Sequence, residues 1–131
     1  MKYKIMQEKK PTLPTYGKYK AVAVHSQEID SRMIAQEASK GTLLNAGSIE
    51  GVMMAIGEVV MRRLRQGDKV RLRGIGMLKL EIESDKVDDP KQFRAKKHIR
   101  GVRLHLIPES EGGSPELYKG ITFERDKSTE I

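Results

Sequence analysis

The alternation of apolar and polar positions is most regular between Gln66 and Leu80, where it predicts a β-hairpin. Apolar and basic residues alternate here: Val70, Leu72, Leu78 and Leu80 against Lys69, Arg71, Arg73 and Lys79. A period of two is typical of a strand with one buried face. Gly74-Ile75-Gly76 separates the two runs and indicates a tight turn with positive φ. The stretch therefore predicts a hairpin with one apolar face and one basic face.

Two helices are predicted before the hairpin. The first extends from Ser26, a plausible N-cap, to about Ser39, and Gly41 ends it. The second begins near Asn45 as N-cap and extends to about Arg65. Apolar residues recur at helical spacing in both: Ile29, Met33, Ile34 and Ala38 in the first, and Ile49, Val52, Met53, Ile56, Val60 and Leu64 in the second. Small residues four apart on the second helix predict close approach of another helix: Gly47, Gly51 and Ala55.

Strands are also predicted on both sides of this region. Two short ones lie near the start, Lys2–Met6 and Tyr19–His25, and prolines and Gly17 separate them. Their lysines either contact a polyanion or keep an edge strand soluble. After the hairpin, the alternation continues to Glu83, and a third strand follows from Ile99 to Ile107.

These patterns predict an α+β fold with two N-terminal helices packed under a three-stranded antiparallel sheet. An extended segment of residues 1–25 precedes this domain, which covers 26–108. Residues 109–131 form an acidic tail, with a short helix near 116–118 or a short strand near 121–123 as the alternatives.

Composition adds a polyanionic partner to this picture. The formal net charge is +7, with 25 Lys and Arg against 18 Asp and Glu. The excess lies in residues 1–25 and 67–107, which each carry +5. Such a balance favours nucleic acid or an anionic membrane surface as partner. Cysteine is absent, and no apolar run is long enough for a signal peptide or a membrane span, so we expect a cytoplasmic protein.

Catalytic and metal chemistry find little support in the sequence. The histidines, His25, His98 and His105, lie far apart, and no phosphate loop or nucleophile elbow occurs. Asp85, Asp88 and Asp89 lack the ordered spacing of a calcium loop, so a solvated loop tip is the preferred interpretation. We therefore expect no enzyme activity, no cofactor, no metal and no small-molecule substrate.

Nucleic-acid binding finds more support. Basic side chains at alternate positions of a strand are about 6.5–7 Å apart and can meet successive phosphates. Glu81 and Glu83 lie on the same predicted face and weaken this row. The run from Lys91 to Ile107 adds six basic residues without an acid. The predicted DNA-binding residues are Arg71, Arg73, Lys79, Lys91, Arg94, Lys96, Lys97, Arg100 and Arg103.

The segment Leu64–Leu78 resembles the Leu-x-x-Gly-Asp-x-Val-x-Leu-x-Gly-Phe-Gly-Thr-Phe segment of the HU/IHF family of bacterial histone-like proteins. The resemblance extends at pattern level over about 26–108. It implies an intertwined homodimer in which helices form a base and both sheets form a saddle under double-stranded DNA. It also implies a sequence-neutral architectural protein of the nucleoid.

Two departures from the family pattern, together with the extra residues 1–25, place the chain near a divergent HU-related branch. Ile75 and Leu78 stand where the family's glycine turn has two phenylalanines. The Arg-Asn-Pro-x-Thr-Gly tip, whose proline kinks DNA in the family, is replaced by Asp88-Asp89-Pro90-Lys91-Gln92-Phe93. Pro90 or Phe93 could act as a substitute wedge, but the preferred interpretation is a loop proline and a phenylalanine packed on the sheet. The alternative function is a protein-interaction scaffold on an HU-like fold, and RNA binding is a weaker third option.

Overall fold

The chain is described by a computed structural model, which covers residues 1–110 and 115–128. It is an α+β protein with three α-helices and two three-stranded sheets among these residues. Two compact units are present. One combines residues 1–30 with the C-terminal residues from 118, and the other covers 31–117. We call them the terminal unit and the central unit.

The terminal unit is built on a small mixed sheet. Strands β1 (Lys2–Gln7) and β2 (Tyr19–Ala23) pair antiparallel, and both confirm the strands predicted near the start of the chain. Strand β6 (Glu124–Arg125) pairs parallel with the other edge of β1. A 3₁₀ helix forms at Glu116–Tyr118, where a short helix was one alternative, and β6 directly follows the residues 121–123 considered for a strand.

Two helices open the central unit. Helix α1 spans Ser31–Ser39, so the predicted N-cap at Ser26 is wrong by four residues. Asp30 precedes the first helical residue and has the side-chain type favoured at an N-cap, whereas the residues around Ser26 form no helix. Helix α2 spans Ala46–Arg65, and the Asn45 side chain accepts a hydrogen bond from the Ser48 amide at 2.8 Å. The predicted N-cap of α2 is therefore confirmed.

The central sheet contains β3 (Val70–Leu72), β4 (Gly76–Ser84) and β5 (Ile99–Pro108), all antiparallel and in that order. These are the predicted hairpin and third strand. The turn has the predicted positive φ, +83° at Gly74 and +149° at Gly76. Helix α2 packs against α1 and contacts β3 and β4. Helix α2 therefore contacts both α1 and the central sheet.

The segment between β4 and β5 is a short structured tip. A 3₁₀ helix forms at Pro90–Gln92 and helix α3 at Ala95–His98. Asp89 caps the first, since its carboxylate accepts a hydrogen bond from the Lys91 amide at 3.0 Å. Four residues of helix were not predicted here, because Lys96, Lys97 and His98 show no apolar period.

Few apolar side chains are buried within the described chain. Among the apolar side chains of residues 1–110 and 115–128, only Ala35 and Leu64 are buried, at 0% and 8% exposure. The apolar face of the central sheet and two opposite sides of α2 remain about half exposed: Ile82, Val102, Leu104 and Leu106 on the sheet, Val52, Ile56 and Val59 on one side of the helix, and Met54 and Met61 on the other. A unit of this size normally buries far more apolar surface.

Candidate nucleic-acid interface

The strand register places charged side chains on one face of the central sheet. Lys79 lies opposite His105, and Glu81 lies opposite Arg103. Arg71 lies opposite Met77. Met77 is two residues before Lys79 on β4, so Arg71, Met77 and Lys79 lie on the same face. The opposite face carries the apolar side chains, among them Leu80 and Leu104. The two-faced sheet predicted from the alternation is therefore present, and we call its polar side the basic face.

Glu81 lies among the cations of the basic face. Its Oε2 accepts a hydrogen bond from Arg103 Nη2 at 3.1 Å, and its Oε1 lies 3.7 Å from Lys79 Nζ. The His105 Nδ1 atom lies 4.0 Å from Oε1. The hydrogen bond from Arg103, followed by the positive charges nearby, lowers the pKa of Glu81 below its ordinary value. Glu81 therefore remains ionised at neutral pH.

Four of the predicted DNA-binding residues lie in the tip between β4 and β5. Lys91 is on the 3₁₀ helix, and Lys96 and Lys97 are on α3. The Arg94 guanidinium donates to the carbonyl oxygens of Lys91 and Phe93, both at 3.1 Å. The three lysines are exposed, so the tip concentrates positive charge at the end of the sheet.

The last two predicted residues lie apart from both groups. Arg73 is in the turn after β3. Arg100 is the unpaired residue of an irregularity in the β4–β5 register, and its Nε lies 2.5 Å from Asp85 Oδ1. The structure thus brings Arg71, Lys79 and Arg103 onto one face and Lys91, Arg94, Lys96 and Lys97 into one tip.

Phe93 is packed within the tip. Its ring centroid lies 5.3 Å from that of His98, with an angle of 37° between the planes. His98 Nδ1 also accepts a hydrogen bond from the Arg94 amide at 2.8 Å. Pro90 is the first residue of its 3₁₀ helix. Pro90 therefore lies in a structured loop, and the ring contact of Phe93 is with His98 of α3.

Two other site classes were considered. Within residues 1–110 and 115–128, no group of three or more His, Asp or Glu could hold a metal ion. Asp85 pairs with Arg100, and Asp89 caps a helix, so these carboxylates have structural partners. In the same described part, no helix is both long and apolar enough to cross a membrane.

The importance of Glu81 was underestimated from the sequence. Its position on the basic face follows from alternation, but its contacts depend on which β5 residue lies opposite it. That register is the pairing of β4 with β5, which are joined by residues 85–98, and it shifts between Glu83 and Ser84. The only sequence signal was the presence of an acid inside a basic row.

Comparison with known families identifies the architecture. The family model HU-HIG, described as an HU domain fused to a wHTH, Ig or glycine-rich motif, matches residues 1–125. Comparison with curated proteins gives no significant match. The matched range covers both units and all the strands described above. The chain therefore belongs to the HU-HIG family and has an HU-like architecture.

Proposed function

We propose that the protein binds double-stranded DNA largely without regard to sequence, as a nucleoid-associated architectural protein of the cytoplasm. The observation that carries this proposal is the two-faced central sheet, with Arg71, Lys79 and Arg103 on one side and apolar residues on the other. The lysines of the tip extend the positive surface. Backbone contacts of this kind bind through counterion release.

We also propose that the DNA-binding form is a homodimer. The central unit exposes much of the apolar surface of α2 and of its sheet, with Met54 at 65% and Ile82 at 64%. A second copy would cover such surface, as the HU-like architecture implies. The small residues of α2 predict that another helix approaches closely. Apart from the backbone of α2 itself, nothing in the described chain lies within 4 Å of a Cβ built at Gly51, so the approaching helix would belong to the second copy.

The proposed protein holds the DNA backbone and does not bend the duplex sharply. Kinking proteins insert an apolar side chain between base pairs. Phe93 instead packs against His98, and Pro90 begins a 3₁₀ helix. The replacement of the family's proline-bearing tip motif, together with the additional residues 1–25, is our reason for placing the chain in a divergent branch of HU-related proteins.

Titration of a random-sequence duplex at several salt concentrations tests the proposal. We expect log K to fall steeply and linearly with log salt, by about 0.9 for each phosphate neutralised. The double variant Arg71→Glu/Arg73→Glu should weaken binding to every sequence alike. Lys9→Glu/Lys10→Glu makes the same charge change in the terminal unit and is the matched control.

Three outcomes would count against this function. Tight binding with a flat salt dependence would exclude a phosphate-backbone mechanism. A loss confined to one sequence would indicate base readout. Negligible binding even at low salt would favour the protein-interaction scaffold.

A further inference from the structure

One carboxylate, that of Glu81, lies among the cations of the basic face. Glu81 contacts Arg103 at 3.1 Å and Lys79 at 3.7 Å, and His105 is at the edge of the same group. These are the kinds of contact that a phosphate oxygen makes with a guanidinium or an ammonium group. Two of the three sheet cations in the proposed interface are therefore already paired in the free protein.

We infer that Glu81 is an internal competitor of DNA phosphate, which keeps Arg103 and Lys79 ion-paired and so limits the affinity of the basic face. This inference rests on the proposed DNA-binding function and adds a residue that controls its strength. Exposed ion pairs are individually weak, so a phosphate can displace the carboxylate. DNA binding by the wild-type protein then includes the cost of separating these pairs.

The ionisation of Glu81 supports this role. The carboxylate is charged at neutral pH, as an ordinary glutamate is, and the hydrogen bond from Arg103 lowers its pKa further. The Arg103 side chain is 64% exposed, so its guanidinium is accessible to a polyanion while it contacts Glu81. The remaining cation of this face, Arg71, has no acidic partner among the described residues.

Glu83 provides a matched control on the same face. It is two residues further along β4 and lies opposite Gly101, which has no side chain. It makes no ion pair with the described residues. Replacing either glutamate by glutamine adds one unit of positive charge to the face, but only the change at Glu81 releases Arg103 and Lys79.

The experiment compares Glu81→Gln, Glu83→Gln and the wild-type protein by titration of a random-sequence duplex at several salt concentrations. For Glu81→Gln we expect binding roughly three- to tenfold tighter at about 0.15 M salt. We also expect the salt slope to steepen by about 1, one further phosphate contact. For Glu83→Gln we expect less than about a twofold change, because long-range charge is screened.

A double-mutant cycle assigns the effect to Arg103. In an Arg103→Gln background, Glu81→Gln should give a clearly smaller gain than in the wild-type protein, because one of its competing contacts is already removed. Equal gains at Glu81 and Glu83 would show an effect of net charge alone and would overturn the inference. If Glu81→Gln instead bound duplex DNA more weakly than the wild-type protein, the inference would also be overturned. Glu81 would then be a positioning residue that holds Arg103 for DNA.

The outcomes separate the two claims. If wild-type protein and both glutamine variants fail to bind duplex at low salt, the proposed function fails. If wild-type protein binds with a steep salt dependence but Glu81→Gln is unchanged, only the competitor role fails. Circular dichroism of each variant confirms that the fold is retained.

Discussion

Gly76 is the residue whose replacement the central sheet tolerates least. Its φ is +149°, and a Cβ built at this position would lie 2.1 Å from the Ile107 carbonyl oxygen. The β5 backbone would have to move away to admit any side chain. We expect Gly76→Ala to lower the free energy of unfolding by about 3 kcal/mol or more, from backbone strain and steric overlap together. Urea denaturation followed by circular dichroism measures this.

Gly74 is the control for that prediction. It also has positive φ, +83°, but nothing lies within 4 Å of a Cβ built there. Gly74→Ala should therefore cost about 1 kcal/mol, from the left-handed conformation alone. If both variants lowered the free energy of unfolding equally, the β5 backbone would be able to move away from the new Cβ at Gly76 without a measurable loss of stability.

Glu81 makes the stability of the protein depend on pH in the acidic range. The hydrogen bond from Arg103 lowers the pKa of Glu81 in the folded state, so the unfolded chain binds its proton more readily. This stabilisation is fully present above the unfolded pKa and is lost as the pH falls through the folded pKa. Between about pH 6 and about pH 3, the melting temperature of the wild-type protein should fall further than that of Arg103→Gln. Nuclear magnetic resonance titration of the side-chain carboxyl checks the cause directly, because Arg103→Gln should raise the pKa of Glu81 towards its ordinary value.

At the scale of elements, the start of α2 depends on one side chain. Asn45 accepts a hydrogen bond from the Ser48 amide at 2.8 Å, and this amide has no partner inside the helix. Asn45→Ala should destabilise the protein by about 1 kcal/mol, while Asn45→Asp should retain most of the stability. Thermal unfolding of the two variants side by side measures the difference. A neutral Asn45→Ala would show that water replaces the cap.

The tip between β4 and β5 can be tested as a DNA-contacting element. Lys96 and Lys97 are exposed on α3, and neither makes an ion pair with the described residues. Lys96→Gln/Lys97→Gln should reduce the salt slope of duplex binding by about 1–2, because up to two phosphate contacts are lost. Lys9→Gln/Lys10→Gln removes the same charge from the terminal unit and should change the slope by less than half as much. Equal effects would place the DNA contact outside the tip.

The elements that could be predicted from the sequence are those with a regular apolar period. The hairpin from Val70 to Ser84 alternates strictly, and α2 has both a long apolar stripe and a capping asparagine. Helix α1 was extended too far because Ile29 fits the helical spacing, although Ser26 does not begin the helix. Helix α3 was missed because a four-residue helix is stabilised by its context and not by an apolar stripe.

The sequence predicts which residues lie on the basic face, but it does not predict which of them contact one another. Alternation places Lys79 and Glu81 on one side of β4. Which β5 residue meets Glu81 depends on the cross-strand register, and a slip of one residue would turn Arg103 to the other face. The ion pairs of Glu81, and with them the competitor role, therefore become visible only in the folded chain.

At the scale of the whole molecule, no short stretch of the sequence indicates that the chain forms two units. Strand β6 contains only Glu124 and Arg125, and it pairs with β1 from the opposite end of the chain. Neither residue favours a strand by its own propensity. The backbone amide of Asp126 donates to the Tyr3 carbonyl at 2.7 Å, which extends this pairing. Pairing across such a sequence separation depends on the tertiary fold, so a sequence pattern could only suggest a short element somewhere in the tail.

The oligomeric state is the last prediction, and it decides how the exposed apolar surface is used. Val59 and Ile56 on α2 are 45% and 50% exposed, and few apolar residues of the described chain are buried. If a second copy covers this surface, light scattering should give twice the chain mass of 14.8 kDa. The melting temperature should also rise with protein concentration, because unfolding then includes dissociation.

Variants with an added charge distinguish a covered surface from an exposed one. Ile56→Asp should abolish the dimer and lower the melting temperature strongly, because a carboxylate would be buried without a partner. Tyr16→Asp replaces a residue that is 59% exposed in the terminal unit, and it should leave both measurements nearly unchanged. In a stable monomer, this surface of α2 would face water, and Ile56→Asp and Tyr16→Asp would both leave the melting temperature nearly unchanged. A wild-type mass of one chain at micromolar concentration, with a melting temperature independent of concentration, would therefore contradict the homodimer and leave the basic face to bind DNA as a single sheet.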